Sequence, residues 1–309
     1  MKIKIKISNI IYQIYIVCLY IPIYFRLFWY CLKYRVSPAI LRKVNPSFPY
    51  GGLLSSKTTI REHFQVNKEA FDTFFCKTLA LSATSTPKQR IQEAHHYIQL
   101  HHLHYPLILK PNDGVGGLGL LFIQNTAELN TALQTVQKDY ILQEYIPRPL
   151  ELSVFFVKHP GKPWRIRSIT RRYTIKKEDE PELMIPTRRI ICKDESYIIN
   201  AVLEERFARI SDIPGFYFGR FDIRVQNLSD FITKWTGFKI MEVNVWAHSM
   251  ALHAFDNTYG WIKRYQIFFE QVYLAFAIAR ENAHITNYPD QNFKDFLRGF
   301  LAMFKSVNK

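Results

Sequence analysis

Gly219-Arg220-Phe221-Asp222-Ile223-Arg224-Val225 and Lys239-Ile240-Met241-Glu242-Val243-Asn244-Val245 are the stretches on which the reading of this chain turns. Side chains on a β-strand alternate between two faces. In the first stretch Arg220, Asp222 and Arg224 therefore share a face, and Phe221, Ile223 and Val225 take the other. In the second, Glu242 and Asn244 share a face, opposite Met241, Val243 and Val245. If the two strands pair, Asp222, Glu242 and Asn244 converge as three oxygen donors. Oxygen-only donors in small number suit Mg²⁺ holding nucleotide phosphates. The plainer alternative is a solvated sheet face with a salt bridge to Arg220 or Arg224, and for either carboxylate alone it is the better reading.

Upstream, Tyr105-Pro106-Leu107-Ile108-Leu109-Lys110 reads as a strand, followed by Pro111-Asn112-Asp113 and the loop Gly114-Val115-Gly116-Gly117-Leu118-Gly119. The loop satisfies G-x-G-x-x-G, a pattern that in dinucleotide-binding folds opens a helix directly after a strand. Here the helix start lies further on, at the capping box Asn125 with Glu128, and Leu120 to Ile123 is strand-like. Strand, glycine loop and strand make a hairpin flap instead. Glycine lets such a flap bring backbone N–H groups close to phosphates, and Lys110 adds a fixed cation. An ordinary tight turn is the alternative for the loop alone. Lys110, the flap and the three oxygen donors together favour a metal–nucleotide site. Further strands are expected at Tyr140 to Ile146, Leu152 to Lys158, Trp164 to Tyr173, Tyr217 to Val225 and Phe238 to Val245. Residues 57 to 104 read as mostly helical, Ile198 to Ile210 as a helix, and the last 50 residues as helical and aromatic. Mixed strands and helices with antiparallel pairs give an α+β class.

In this order the pieces resemble the ATP-grasp superfamily, and within it the D-alanine–D-alanine ligase-like carboxylate–amine ligases. The resemblance covers about residues 57 to 280. It implies two α+β subdomains clasping ATP, with Lys110 binding phosphate and Gly114, Gly116, Gly117 and Gly119 forming the flap. Gln143, Glu144, Tyr145 and Ile146 match the adenine-binding hinge, and Glu151 the ribose-binding acid. Arg220 matches the catalytic arginine; Asp222, Glu242 and Asn244 match the metal ligands. The cofactors implied are ATP and one or two Mg²⁺ ions, with Mn²⁺ possible. The implied reaction activates a substrate carboxylate as an acylphosphate for attack by an amine, both partners being small molecules; a non-catalytic ATP-binding scaffold is the alternative. Departures from the family are the absence of a full α/β domain ahead of the core, Asn244-Val245-Trp246-Ala247-His248 after the second metal strand, and Lys176 to Ser196 in place of a glycine-rich segment. Substrate identity does not carry over.

The chain has 309 residues and a formal charge of +15, but ten of its 41 Lys/Arg and none of its 26 acids fall in residues 1 to 61. The remaining 248 residues carry only +5. A hydrophobic content of 48% excludes disordered and collagenous chains, and no nucleic-acid motif accompanies the charge. Cys18, Cys31, Cys76 and Cys192 form no CxxC pair, which argues against a zinc site and fits a reducing compartment. Residues 1 to 43 read as a basic, aromatic helical leader, with an apolar run from Ile10 to Phe25 and a second from Leu27 to Leu32. The first run is short for a span, and its interfacial Tyr and Trp favour a segment lying on an anionic membrane surface at the cytoplasmic face. A span, a signal peptide, and burial against the body are the alternatives. Residues 44 to 104 are expected as linker and helical region, 105 to 285 as the ATP-grasp domain, and 286 to 309 as a C-terminal helix. Arg165, Arg167, Arg171, Arg172, Arg188 and Arg189 are candidates for an anionic substrate, or a solvated strand face. Lys68 is a candidate second phosphate-side lysine. His95, His96, His101, His102 and His104 read as a polar helix surface.

Overall fold

The computed structural model describes residues 20–52, 55–113, 119–174, 190–234, 236–246 and 251–284. Two antiparallel sheets organise the chain. The smaller takes β1 (Thr78–Leu81), β2 (Leu107–Pro111), β3 (Leu121–Ile123) and β4 (Tyr140–Glu144) in the order β1-β4-β2-β3. Its apolar face packs on α4 (Pro87–Leu100) and α5 (Thr126–Thr135) through Leu107, Leu109, Leu142, Ala94, Leu129 and Leu133. Both helices start where their caps dictate. Thr86 and Gln89 form a full capping box for α4, with Pro87 at the first helical position. The Asn125 side chain accepts from the Glu128 N–H to open α5.

The larger sheet has β5 (Leu150–Val157), β6 (Arg165–Thr174), β7 (Ile190–Asp194), β8 (Phe218–Val225) and β9 (Phe238–Val245) in the order β7-β6-β5-β8-β9. Leu152, Val154 and Phe156 on β5, with Phe221, Ile223 and Val225 on β8, face the main core. That core is closed by α2 (Lys57–Phe64), α3 (Lys68–Phe74), α6 (Ala201–Ile210) and α7 (Leu228–Thr233) through Ile60, Phe64, Phe74, Phe207 and Phe231. Burying a large apolar side chain contributes about 1.5–3 kcal/mol, so these interlocked phenylalanines set the position of the sheet. On the opposite face, Phe155, Val157 and Phe218 lie under α8 (Trp261–Glu281), and a helix over residues 20–34, α1, packs on α8 through Tyr30 and Cys31. The same face of the sheet carries Glu151, Ser153, Arg220 and Asp222 beyond the edge of that helical cover.

β2 and β3 pair antiparallel, Leu107 opposite Ile123, as expected of a hairpin. Residues 114–118, with Gly114, Gly116 and Gly117, lie outside the described residues; Gly119 has φ +74°. Other expectations change. The span 57 to 104 is not only helical: Thr78–Leu81 is the edge strand of the smaller sheet, paired with β4. The stretch between β8 and β9 holds the short helix α7, capped by Asn227. Residues 44 to 52 belong to the core rather than to a free linker. Phe48 is fully buried, and the Asn45 side chain donates to the Phe218 carbonyl and accepts from the Tyr217 and Phe218 N–H groups. Gly52, at φ +102°, lies so close to Val245 that a Cβ there would stand 2.1 Å from a Val245 methyl. Residues 1–19 of the leader, and 285–309 with the C-terminal helix expected over 286–309, are outside the described residues.

Candidate active site

The sequence places polar side chains at alternate positions of β8 and β9, and the pairing of the strands brings them together. Asp222 stands directly opposite Glu242, and Arg220 opposite Asn244. The register then slips by one, Ile223 pairing with Ile240, so that Met241 is the extra residue of a β-bulge. Strict alternation would have put Ile240 on the polar face; the bulge returns it to the core, where it is fully buried. The bulged Met241 carbonyl accepts from the Gln143 side chain at 3.0 Å, which joins the smaller sheet to the larger. A second seam runs beside it, where the Cys76 N–H donates to the Ile240 carbonyl.

Asp222 is the hub of the polar face. Arg220 donates to both its oxygens, Nε at 2.9 Å and one terminal nitrogen at 3.0 Å. Ser153 Oγ donates to one oxygen at 2.6 Å, and Asn244 Nδ2 to the other at 2.9 Å. Burial by itself would raise this carboxyl, but Arg220 and then Arg172 outweigh it and hold Asp222 below the usual carboxylate range. Glu242 is likewise opposed by burial and held low by Lys110 and Lys57, whose ammonium groups each lie 3.6 Å from one of its oxygens. Lys110 reaches it from the end of β2 and Lys57 from the first turn of α2. Asn112 fixes that turn: its side chain accepts from the Thr58 N–H and its carbonyl from the Lys57 N–H. Lys57, Lys110, Thr78, Gln143 and Glu242 line a crevice between the two sheets.

Deeper along the face, Arg172 pairs with Glu151 at 2.6 Å and lies 4.0 Å from Asp222. Burial would lower the Arg172 guanidinium, yet Glu151 and Asp222 more than offset it and its affinity for the proton is raised. Arg224 approaches the other Glu151 oxygen at 3.6 Å. The cluster thus sets five cations (Lys57, Lys110, Arg172, Arg220, Arg224) against three carboxylates (Glu151, Asp222, Glu242), an excess of +2. Such an excess, walled by low-dielectric protein, favours a polyanion.

The expected residues therefore fall into groups. Lys110, Arg220, Asp222, Glu242 and Asn244 meet in one cluster. Among the hinge residues, the Gln143 side chain donates to Thr78 and Met241, Glu144 accepts from the Lys77 N–H, Tyr145 packs edge-on to Phe122 and Ile146 is buried. These side chains bind protein, and Gln143 and Glu144 also pair through their backbone within the smaller sheet. Glu151 carries two arginines. Lys68 is not at the site: its ammonium is exposed and pairs with Asp72 one turn on. Lys57, which the sequence reading does not single out, stands beside Lys110 at Glu242. In the arginine set, Arg172 alone faces the cluster among the described residues. Arg165 pairs with Glu204 and Arg167 with Glu270 on the surface, Arg171 stacks on Tyr173, and Arg188 and Arg189 lie outside the described residues. Ser153 was missed, though its place between Glu151 and Phe155 on an alternating strand was a usable signal. His95 bonds to Asn130, and the described residues contain no group of three or more His, Cys, Asp or Glu placed to hold a metal.

No family model matches the sequence, and no curated protein matches it. Solved structures do. The chain is similar to the D-Ala:D-Ser ligase VanG from Enterococcus faecalis, at TM-score 0.47 and 14% identity, over 74% of this chain and 62% of that one. It is similar to D-alanine–D-alanine ligase from Bacillus anthracis complexed with ATP (TM-score 0.43, 16% identity, 73% and 70%). A third is N5-carboxyaminoimidazole synthetase from Staphylococcus aureus complexed with ADP (TM-score 0.49, 14% identity, 75% and 54%). These structural neighbours are ATP-grasp ligases. The chain spans less than two thirds of the VanG ligase and of the synthetase.

Proposed function

We propose that the chain is an ATP-dependent carboxylate–amine ligase. The observation that carries this reading is the cationic surplus of Lys57, Lys110, Arg172, Arg220 and Arg224 around a facing pair of ionised carboxylates, at the crevice between two sheets. Such a surplus favours a polyanion, and a nucleoside triphosphate is one. Lys110 and Lys57 grip phosphate oxygens, the β2–β3 hairpin closes over them, and the segment from Gln143 to Ile146 holds the base. A substrate carboxylate oxygen then attacks the γ-phosphorus; its bond to the β,γ-bridging oxygen breaks and ADP leaves with that electron pair. An amine attacks the acylphosphate carbon, phosphate leaves, and the amine proton passes to solvent. Arg220 lies where negative charge develops on the transferring group, and positioned charge is the main means of catalysing phosphoryl transfer.

The donor set fits a hard divalent cation. Asp222 and Glu242 face each other in register, both are held ionised, and Asn244 adds a neutral oxygen. Mg²⁺, as one or two ions, or Mn²⁺ in its stead, would be held by Asp222, Glu242 and Asn244, and when bound supplies neutralisation of phosphate charge. Arg220 shares Asp222 with such a cation, which ties metal occupancy to the position of the guanidinium. The charge of the N-terminal fifth of the chain supports a place at an anionic membrane surface on the cytoplasmic side.

Screening ADP release from ATP against pairs of small carboxylates and amines tests the reading. ADP formed only when both members of a pair are present supports ligation. ATP binding without ADP release from any pair would instead identify an ATP-binding scaffold.

A further inference from the structure

The leader left three arrangements open for its second half: spanning a bilayer, lying on one, or packing on the body. In the structure α1 packs on the body with one face and leaves the other bare. Its inner face sets Tyr30 and Cys31, both buried, against α8, with Tyr30 stacked on Phe276 at 5.5 Å. Its outer face carries Ile21, Phe25, Phe28 and Leu32, spaced four, three and four residues apart as one helical stripe. Phe25, Phe28 and Leu32 are 69%, 58% and 63% exposed, and Tyr24 and Trp29 border them, each more than two-fifths exposed. A stripe of this size has a purpose when isolated exposed apolar residues need none.

The charge around the stripe identifies what covers it. Arg26 lies over the rings of Trp29 and Phe269, and Lys33 over Trp29 and Tyr34. Arg280 lies 3.9 Å over the ring of Tyr34. Arg35, Arg42 and Lys43 follow, and no acid occurs before Glu62. Aromatic rings with cations held over them, beside an apolar stripe, are suited to the boundary between lipid headgroups and acyl chains. No helix among the described residues is long and apolar enough to cross a membrane.

The geometry points to α1 as an in-plane docking element for an anionic phospholipid bilayer, with the Ile21–Phe25–Phe28–Leu32 stripe inserted among acyl chains and Arg26, Lys33, Arg35, Arg42 and Lys43 at the headgroups. α8 lies between α1 and the larger sheet, on the face that also carries Asp222. A docked bilayer therefore lies on the side of the sheet that carries the site. This inference stands independently of the ligase reading.

The test uses the full chain and flotation with vesicles of phosphatidylcholine alone or of phosphatidylcholine with phosphatidylserine. The wild-type protein floats with the anionic vesicles and not with the neutral ones, and added salt weakens the association as surface charge is screened. Phe25→Ser combined with Phe28→Ser lowers partitioning at least about tenfold, with the thermal unfolding midpoint unchanged because both side chains are exposed. Replacing Lys33, Arg35, Arg42 and Lys43 with Gln abolishes the preference for anionic lipid. Undiminished flotation of the Phe25/Phe28 variant, or equal binding of the wild type to neutral vesicles, overturns the proposal. So does a wild-type dimer in solution that the Phe25/Phe28 variant dissolves, because a second copy then covers the stripe.

Discussion

Glu242→Gln separates the two roles assigned to the cluster by moving them in opposite directions. In the wild type, Glu242 holds the ammonium groups of Lys57 and Lys110 at 3.6 Å each, with side chains 16%, 13% and 28% exposed for Lys57, Lys110 and Glu242. At an effective dielectric of 20, one such pair has a Coulomb energy of about 5 kcal/mol. Desolvation and solvent screening reduce the net value of a partly exposed pair to about 1 kcal/mol. Removing the carboxylate charge frees both lysines for a polyanion, a gain of about 1–2 kcal/mol, or about fivefold to thirtyfold in affinity. ATP in the presence of a chelator should bind the variant more tightly by that factor. With Mg²⁺ present the variant lacks a charged donor, and ATP affinity should fall at least about tenfold. Isothermal titration of wild type and variant, with Mg²⁺ and with chelator, gives all four values. A shift of the same sign in both conditions, or none in either, refutes the assignment of Glu242 as both partner of the lysines and metal ligand.

Asn45→Ala should destabilise the fold by about 2–4 kcal/mol in urea titrations. It deletes three hydrogen bonds, two of them buried, and leaves the Tyr217 and Phe218 N–H groups without that acceptor. Arg220→Ala strips both Asp222 oxygens of a bidentate partner in a buried position, so it should cost about 3 kcal/mol or more, and adding Asp222→Asn should recover part of that loss. Asp222 and Glu242 are held below their ordinary values in the folded chain. Their stabilising contribution is therefore complete above the unfolded values of about 4 and is lost as pH falls through the lower folded values. The part of the stability that Asp222 supplies, read by chemical denaturation as the difference between wild type and Asp222→Asn, should be level above about pH 5 and shrink below about pH 4.

What the sequence revealed of this site depended on how far each residue's placement is a local matter. Strands β8 and β9 were legible because one face of each is apolar and the other polar, and alternation assigns Asp222, Glu242 and Asn244 without knowledge of their neighbours. The hairpin β2–β3 was legible because the Asn125 cap fixes where the next helix opens, too late for the glycines to begin it. The bulge at Met241 was hidden in an otherwise regular pattern, although the consecutive apolar pair Ile240-Met241 marks it in retrospect. β1 is four residues long and lies between two helices, and its strand state comes from pairing with β4 rather than from its own composition. Lys57 and Arg172 were beyond reach for a different reason. Lys57 reaches Glu242 across 185 positions of sequence, and Arg172 reaches Asp222 through the alignment of β6, β5 and β8. Charge composition alone could not distinguish Arg172 from Arg165 and Arg167, which spend their charge on surface acids.

Lys110 is the most exacting probe of the nucleotide site proposed between the two sheets. Equilibrium titration of ATP with Mg²⁺ into the full chain and into Lys110→Ala measures it directly. The structure predicts binding by the wild type, and a loss of about tenfold to a hundredfold in the variant, the worth of one charge-assisted phosphate contact. Equal affinity in the two proteins, or no binding by a folded wild type, would contradict it.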